Sequence, residues 1–109
     1  MTDANRSVAA NATTANVLAG KSLEFVMADA VINFYCVAAA VGIFLTVTVG
    51  NELLVDDQEV SPANRYPTMD ADLIARVGGS AGDRILARYR NSTAGAIVVN
   101  GLMVEVLTL

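Results

Sequence analysis

The sequence predicts an all-β fold, a single-domain antiparallel β-sandwich of about eight short strands. Two patterns and one bulk property lead there. Apolar and polar residues alternate with a period of two in the best-defined stretches. Turn signals recur at short, regular spacing. The chain of 109 residues is one ordinary domain in length, and at 54% hydrophobic and 17% charged residues it is apolar enough to fold and poor in charge.

Residues 1–16, MTDANRSVAANATTAN, are dominated by Ala, Asn and Thr and show little periodicity. They are expected to form an extended, flexible N-terminal arm with no core of its own, ordering on a neighbouring chain. The sandwich domain is expected over 17–109. Turn signals at Ala19-Gly20-Lys21, Gly50-Asn51, Ser61-Pro62-Ala63-Asn64, Gly78 to Asp83, Asn91 to Gly95 and Asn100-Gly101 divide it. The strands between them are expected near 17–19, 22–27, 30–38, 43–49, 52–55, 72–77, 84–90 and 96–108. Ile43, Leu45, Val47 and Val49 alternate with Phe44, Thr46 and Thr48, as a half-buried strand requires. Ile85, Ala87 and Tyr89 alternate in the same way with Arg84, Leu86, Arg88 and Arg90. Asn100-Gly101 is a strong hairpin dipeptide, because both residues tolerate positive φ, so the last strand is expected to split there into a closing hairpin.

Ala30 to Gly50 is a run of 21 residues without charge, long enough to cross a membrane as one helix. Three features favour two successive buried strands instead. Thr and Val alternate over 45–49, the polar Asn33 interrupts the run, and the flanks Asp29, Glu52, Asp56 and Asp57 are acidic, with no Lys/Arg cluster to set an orientation.

The formal charge is −4, and Lys21 is the lone lysine. A nucleic-acid binder displaces counterions with a basic excess, so no nucleic acid is expected as a partner. Cys36 has no second cysteine to pair with and is expected as a buried structural thiol. The start lacks the apolar stretch of a secretory leader, and the Asn-x-Ser/Thr matches at Asn5, Asn11 and Asn91 are read as chance.

The absence of histidine removes the commonest general base, the usual nucleophile–base pairs and the commonest metal ligand. One cysteine cannot build structural zinc. Gly20-Lys21-Ser22 looks like the end of a phosphate-binding loop, but Ala15 stands where that loop needs its first glycine. Gly78 to Asp83 carries no dinucleotide-binding spacing. The carboxylates Asp56, Asp57 and Glu59, and then Asp70 and Asp72, could be imagined around calcium or as an acid/base pair; without EF-hand spacing they read as solvated loops. No enzyme activity, metal or cofactor is expected.

Arg84, Arg88 and Arg90 lie at even spacing and project from one face of their strand, with Leu86 between them. An ordinary solvated face accounts for them. So does a subunit contact in which this row meets Glu52, Asp56, Asp57 or Glu59 of a neighbour, because arginine binds carboxylates bidentately and sheds water more easily than lysine.

The turn Ser61 to Pro67, which contains Arg65 and Tyr66, and the run Ala81-Gly82-Asp83-Arg84-Ile85-Leu86 into Arg88-Tyr89-Arg90-Asn91-Ser92-Thr93 resemble small bacteriophage virion proteins. The likeness covers roughly Val17 to Leu109 and lies in the style of the sequence. It implies a jelly-roll-like sandwich located in the virion: a decoration or cement protein on the capsid, or a minor coat subunit. The implied partners are the chain itself as a homo-oligomer, a trimer being favoured, and other capsid proteins. Arg65 and Tyr66 join the arginine row as expected subunit-interface residues. The alternatives from other classes are a single-span membrane protein with its helix at 30–50, and a soluble carbohydrate- or peptide-binding module that would need exposed aromatics on a concave face.

Overall fold

The computed structural model describes residues 2–63, 65–69 and 71–109. The described residues form an all-β sandwich of seven strands: β1 (Asp3–Val8), β2 (Ala30–Ala38), β3 (Ile43–Val49), β4 (Glu52–Glu59), β5 (Leu73–Gly79), β6 (Ile85–Asn91) and β7 (Ile97–Thr108). A larger sheet has the order β1-β7-β2-β5 and a smaller one the order β4-β3-β6, with every pairing antiparallel.

The period-two pattern places the core. Ile43, Leu45, Val47 and Val49 of β3 and Ile85, Ala87 and Tyr89 of β6 point inward, as their alternation predicts. Ile32, Phe34, Cys36 and Ala38 of β2, with Leu102 and Val104 of β7, meet them from the larger sheet. A side chain of Leu or Ile size gains roughly 1.5–3 kcal/mol on full burial, so these residues supply most of the driving force. Residues 30–50 are accordingly β2 and β3, in different sheets, and no helix among the described residues is long and apolar enough to cross a membrane. Cys36 is buried as expected, and burial pushes its thiol up to about 12.

The pairing is nested. β3 pairs with β4 across the turn at Gly50-Asn51, β2 with β5, and β1 with β7. Between β1 and β2 the chain runs beside β6, with a bridge from Thr13 to Arg90 and bonds from Thr14 N to Tyr89 O (2.8 Å) and Val17 N to Ala87 O (2.9 Å). The chain is thus doubled on itself about Gly50 and wrapped into two layers. Gly50 has φ +60°, which suits the first central position of a tight hairpin turn.

Several expectations are corrected. Residues 1–16 do not lack a core contact: Asp3–Val8 is an edge strand of the larger sheet, and Val8 is buried. Residues 11–17 hold to β6 through side chains as well as backbone, since Thr14 Oγ1 accepts from Tyr89 N (3.1 Å) and Asn16 Oδ1 from Ala87 N (3.0 Å). Residues 17–19 are turn, with Lys21 N bonded to Leu18 O (3.0 Å), and of 22–27 only Glu24 to Val26 pair, through a bridge from Phe25 to Arg84 and a bond from Val26 N to Asp83 O (2.8 Å). Their apolar residues Val17, Leu18 and Val26 enter the core. Asn100-Gly101 makes no hairpin turn. β7 is paired on both sides, and two flanking strands outweigh a local turn preference, so Asn100 becomes the extra residue of a bulge between Val37↔Gly101 and Ala38↔Val99. Asn64 of the turn expected at 61–64 lies outside the described residues.

Candidate functional site

Among the described residues there is no cleft or cavity, and no group of three or more His, Cys, Asp or Glu is placed to hold a metal ion. Of the carboxylates singled out in the sequence, Asp57 and Asp72 are ion-paired with arginines, Asp56 and Glu59 are exposed, and Asp70 lies outside the described residues. What the molecule presents is therefore surface, and the outer faces of its two sheets differ.

On the smaller sheet, pairing across β3 arranges the outward side chains in rows. One row is Leu86, Thr48, Leu53; the next is Arg88, Thr46 and the irregular stretch at Asp56-Asp57; the last is Arg90, Phe44, Glu59. The middle row is tied to β4 by a bond from Asp57 N to Thr46 Oγ1 (3.2 Å), at a point where Asp57 has φ 50°. Arg90 crosses the sheet over Phe44, its guanidinium carbon 4.4 Å from the ring centre, and grips Asp57 through Nε (2.9 Å) and Nη2 (2.8 Å). The Arg90 hydrogen bonds hold the Asp57 carboxyl below its ordinary range. Arg88 makes no ion pair among the described residues. The arginine row does share one face, with Leu86 between Arg84 and Arg88, and Arg84 pairs with Glu24 at 2.9 Å. Basic groups thus line β6 and acidic groups line β4, with Thr and Phe between.

On the larger sheet the outward residues of β2 are Asn33, Tyr35 and Val37, and all three are buried although they stand outside the core cluster. Arg76 Nε donates to Asn33 Oδ1 (2.7 Å), Asn33 Nδ2 donates to Glu105 Oε1 (2.8 Å), and Tyr35 OH donates to the same oxygen (3.0 Å). Those bonds hold the Glu105 carboxyl below its usual value, while burial, followed by the contact with Glu105, raises Tyr35. The connector from β4 to β5 leaves the Ala38 end of β2, with Ala63 N donating to Ala38 O (2.8 Å), and reaches β1, where Asn5 Nδ2 donates to Tyr66 OH (3.0 Å). It is pinned by Asp72, which accepts from Arg65 Nη1 (2.6 Å) and Nη2 (3.0 Å) and from Thr68 N (2.7 Å). The bonds from Arg65 hold the Asp72 carboxyl low.

Between the sheets Asp3 is buried and accepts from Arg6 Nε (2.8 Å), Arg6 Nη2 (3.0 Å) and Lys21 Nζ (2.8 Å). Burial pushes its carboxyl up, and the bonds from Arg6 and Lys21 outweigh that, leaving it below its ordinary value.

Of the expected interface residues, Leu86, Arg88, Arg90, Asp57 and Glu59 are brought onto one face, with Asp56 at its margin and Arg84 just beyond. Arg65 and Tyr66 lie elsewhere, in the connector over the larger sheet. Among the aromatics, Phe34, Tyr35 and Tyr89 are buried and Phe44 lies under Arg90, leaving Phe25 beside Arg84 and Tyr66 beside Asn5 as the exposed ones. The ladder of Arg76, Asn33, Glu105 and Tyr35 was not foreseen, and Asn33 inside an apolar run was its one visible sign. Comparison with protein-family models, characterised proteins and solved structures finds no match.

Proposed function

We propose that this chain is a non-enzymatic structural protein of a virion, a decoration, cement or minor coat subunit that stabilises a capsid by associating with itself and with neighbouring shell proteins. One observation carries this reading: the nested pairing of β1 with β7, residues 11–17 with β6, β2 with β5 and β3 with β4, wrapped into two layers. A doubled chain rolled in this way supports a jelly-roll reading, and jelly rolls are common among viral capsid domains. Fold does not by itself fix function. The charge-poor composition and the exposed Leu53, Leu73 and Leu107 add support, because water-excluding contacts repeated around a shell stabilise it additively. A discrete homo-oligomer is the expected state.

The test is light scattering on the purified chain in detergent-free buffer, together with mass spectrometry of virus particles from its source. A discrete oligomer, and the chain as a regular component of particles, are expected. Leu86→Asp is expected to release subunits while leaving the circular dichroism spectrum unchanged. A monomer at every concentration, or particles without the chain, would overturn the reading.

A further inference from the structure

We propose that the outer face of the smaller sheet is a two-fold contact between two copies of this chain, in which the basic β6 side of each copy lies on the acidic β4 side of the other. The inference rests on the self-association reading and names the surface that performs it.

A half-turn about an axis along β3, lying in the plane of contact, exchanges β4 and β6 and leaves each row at its own level. Each row then meets its own reverse. In the first, Leu86 falls on Leu53 of the copy, and Leu53 is 54% exposed in the single chain. In the second, Arg88 falls on the Asp56-Asp57 stretch, and in the third Arg90 falls on Glu59. Thr48 and Thr46 lie on the axis and meet their own counterparts, small groups that permit close approach, while Phe44 lies on the axis beneath the Arg90 guanidinium. Opposite charges therefore face each other on both sides of the axis, and the leucines at one end bury each other.

A copy is the partner this pattern fits. An isologous contact requires a surface that complements its own rotated image. Here the acids and bases are sorted onto opposite edge strands of one sheet, at matching levels. A different partner would need the reversed order of signs only by coincidence. The pairing within the chain does not preclude the contact. Arg90 uses Nε and Nη2 on Asp57, which leaves further donors of its fork free to reach Glu59 of the copy. Arg88, which has no ion partner among the described residues, gains one in the dimer.

The experiment uses two charge reversals, Arg88→Glu and Asp57→Arg, each measured alone and then mixed. Alone, each variant sets like charges against each other on both sides of the axis, and its dissociation constant for this contact should rise at least roughly tenfold. Mixed in equal amounts, Arg88→Glu and Asp57→Arg restore opposite charges on both sides, so light scattering should recover the wild-type mass. The pair Arg90→Glu and Glu59→Arg repeats the test if Asp57→Arg fails to give a wild-type circular dichroism spectrum. Oligomers that survive both single reversals would overturn this face while leaving self-association in place. Dissociated variants that stay apart on mixing would overturn the two-fold register. A wild-type chain that is monomeric throughout would overturn both the contact and the reading beneath it.

Discussion

The outer faces of the two sheets start from similar strands and end differently. The face of the larger sheet is largely covered within the chain, although Leu73 and Leu107 of that sheet stay exposed: a connector crosses it, Asp72 fastens that connector, and a ladder of Arg76, Asn33, Glu105 and Tyr35 satisfies the polar groups that lie there. Among the described residues the face of the smaller sheet has no such cover, and its charges are sorted by strand. Arg90 pairs with Asp57 across the sheet, and both side chains keep much of their exposure, 40% and 44%. A buried polar group must find its partner inside the molecule, whereas an exposed charge can wait for one outside. The comparison teaches which face is structure and which is available for contact.

The comparison breaks most severely at Asp72. Asp72→Ala removes the acceptor for Arg65 and Thr68 at a site where the carboxylate is only 6% exposed. The connector should loosen, Tyr35 and Val37 should become accessible, and the fold should lose about 2 to 3 kcal/mol, the scale of a charge-assisted hydrogen-bonded site. The denaturant midpoint and hydrogen exchange over 61–72 measure it. An unchanged midpoint would mean that the cover contributes nothing to the fold.

The same carboxylate sets a pH dependence. The folded values of Asp72 and Asp3 are lowered, so the unfolded chain binds the proton more readily. Their stabilisation is fully present above the unfolded value, about 3.9, and is lost as pH falls through the lowered folded values. The midpoint should be flat from neutrality to mild acid and fall below about pH 4. Asp72→Ala should fall less steeply, because one of the linked carboxylates is gone.

A smaller effect is expected at Asn33, which is 1% exposed and joins Arg76 to Glu105. Asn33→Ala should cost roughly 1 to 2 kcal/mol, since Arg76 and Glu105 sit near enough to water to rehydrate when the link is lost. Thermal unfolding checks it, and the oligomeric state should not move, because the ladder lies on the covered face.

How much of this could be read beforehand differs between the same two regions. The rows of the smaller sheet follow from strict alternation in 43–49 and 84–90, where side-chain direction is a local property of the strand, so the shared face of the arginines was legible. That Asp57 would sit across from Arg88 and Arg90 was not, because register across β3 includes two irregularities between Leu45 and Thr48. The larger sheet was harder still. Its central strand β7 hid behind the Asn100-Gly101 turn signal, which long-range pairing on both flanks overrode. Its edge strand β1 hid in an Ala/Asn/Thr segment that composition assigned to an arm. The Asn and Thr residues there are explained by the structure: Thr14 and Asn16 present side-chain oxygens to the β6 backbone, a mode of pairing that leaves no hydrophobic period to detect.

The smallest effect on the fold is expected at Arg90, and it sharpens the comparison most. Arg90→Ala deletes both the contact with Asp57 and the packing on Phe44, but neither partner is then left buried without water, so the denaturant midpoint should stay close to that of the unaltered chain. Its oligomer should nevertheless dissociate more readily, and the difference between variant and parent should shrink as salt is added, because contacts between exposed charges are screened over about 8 Å at physiological ionic strength. Asn33→Ala is expected to behave in the opposite way, less stable but associated as before. If Arg90→Ala instead destabilised the isolated fold as much as Asn33→Ala does, the two outer faces would be doing the same work, and the smaller sheet would be as much a part of the internal scaffold as the larger.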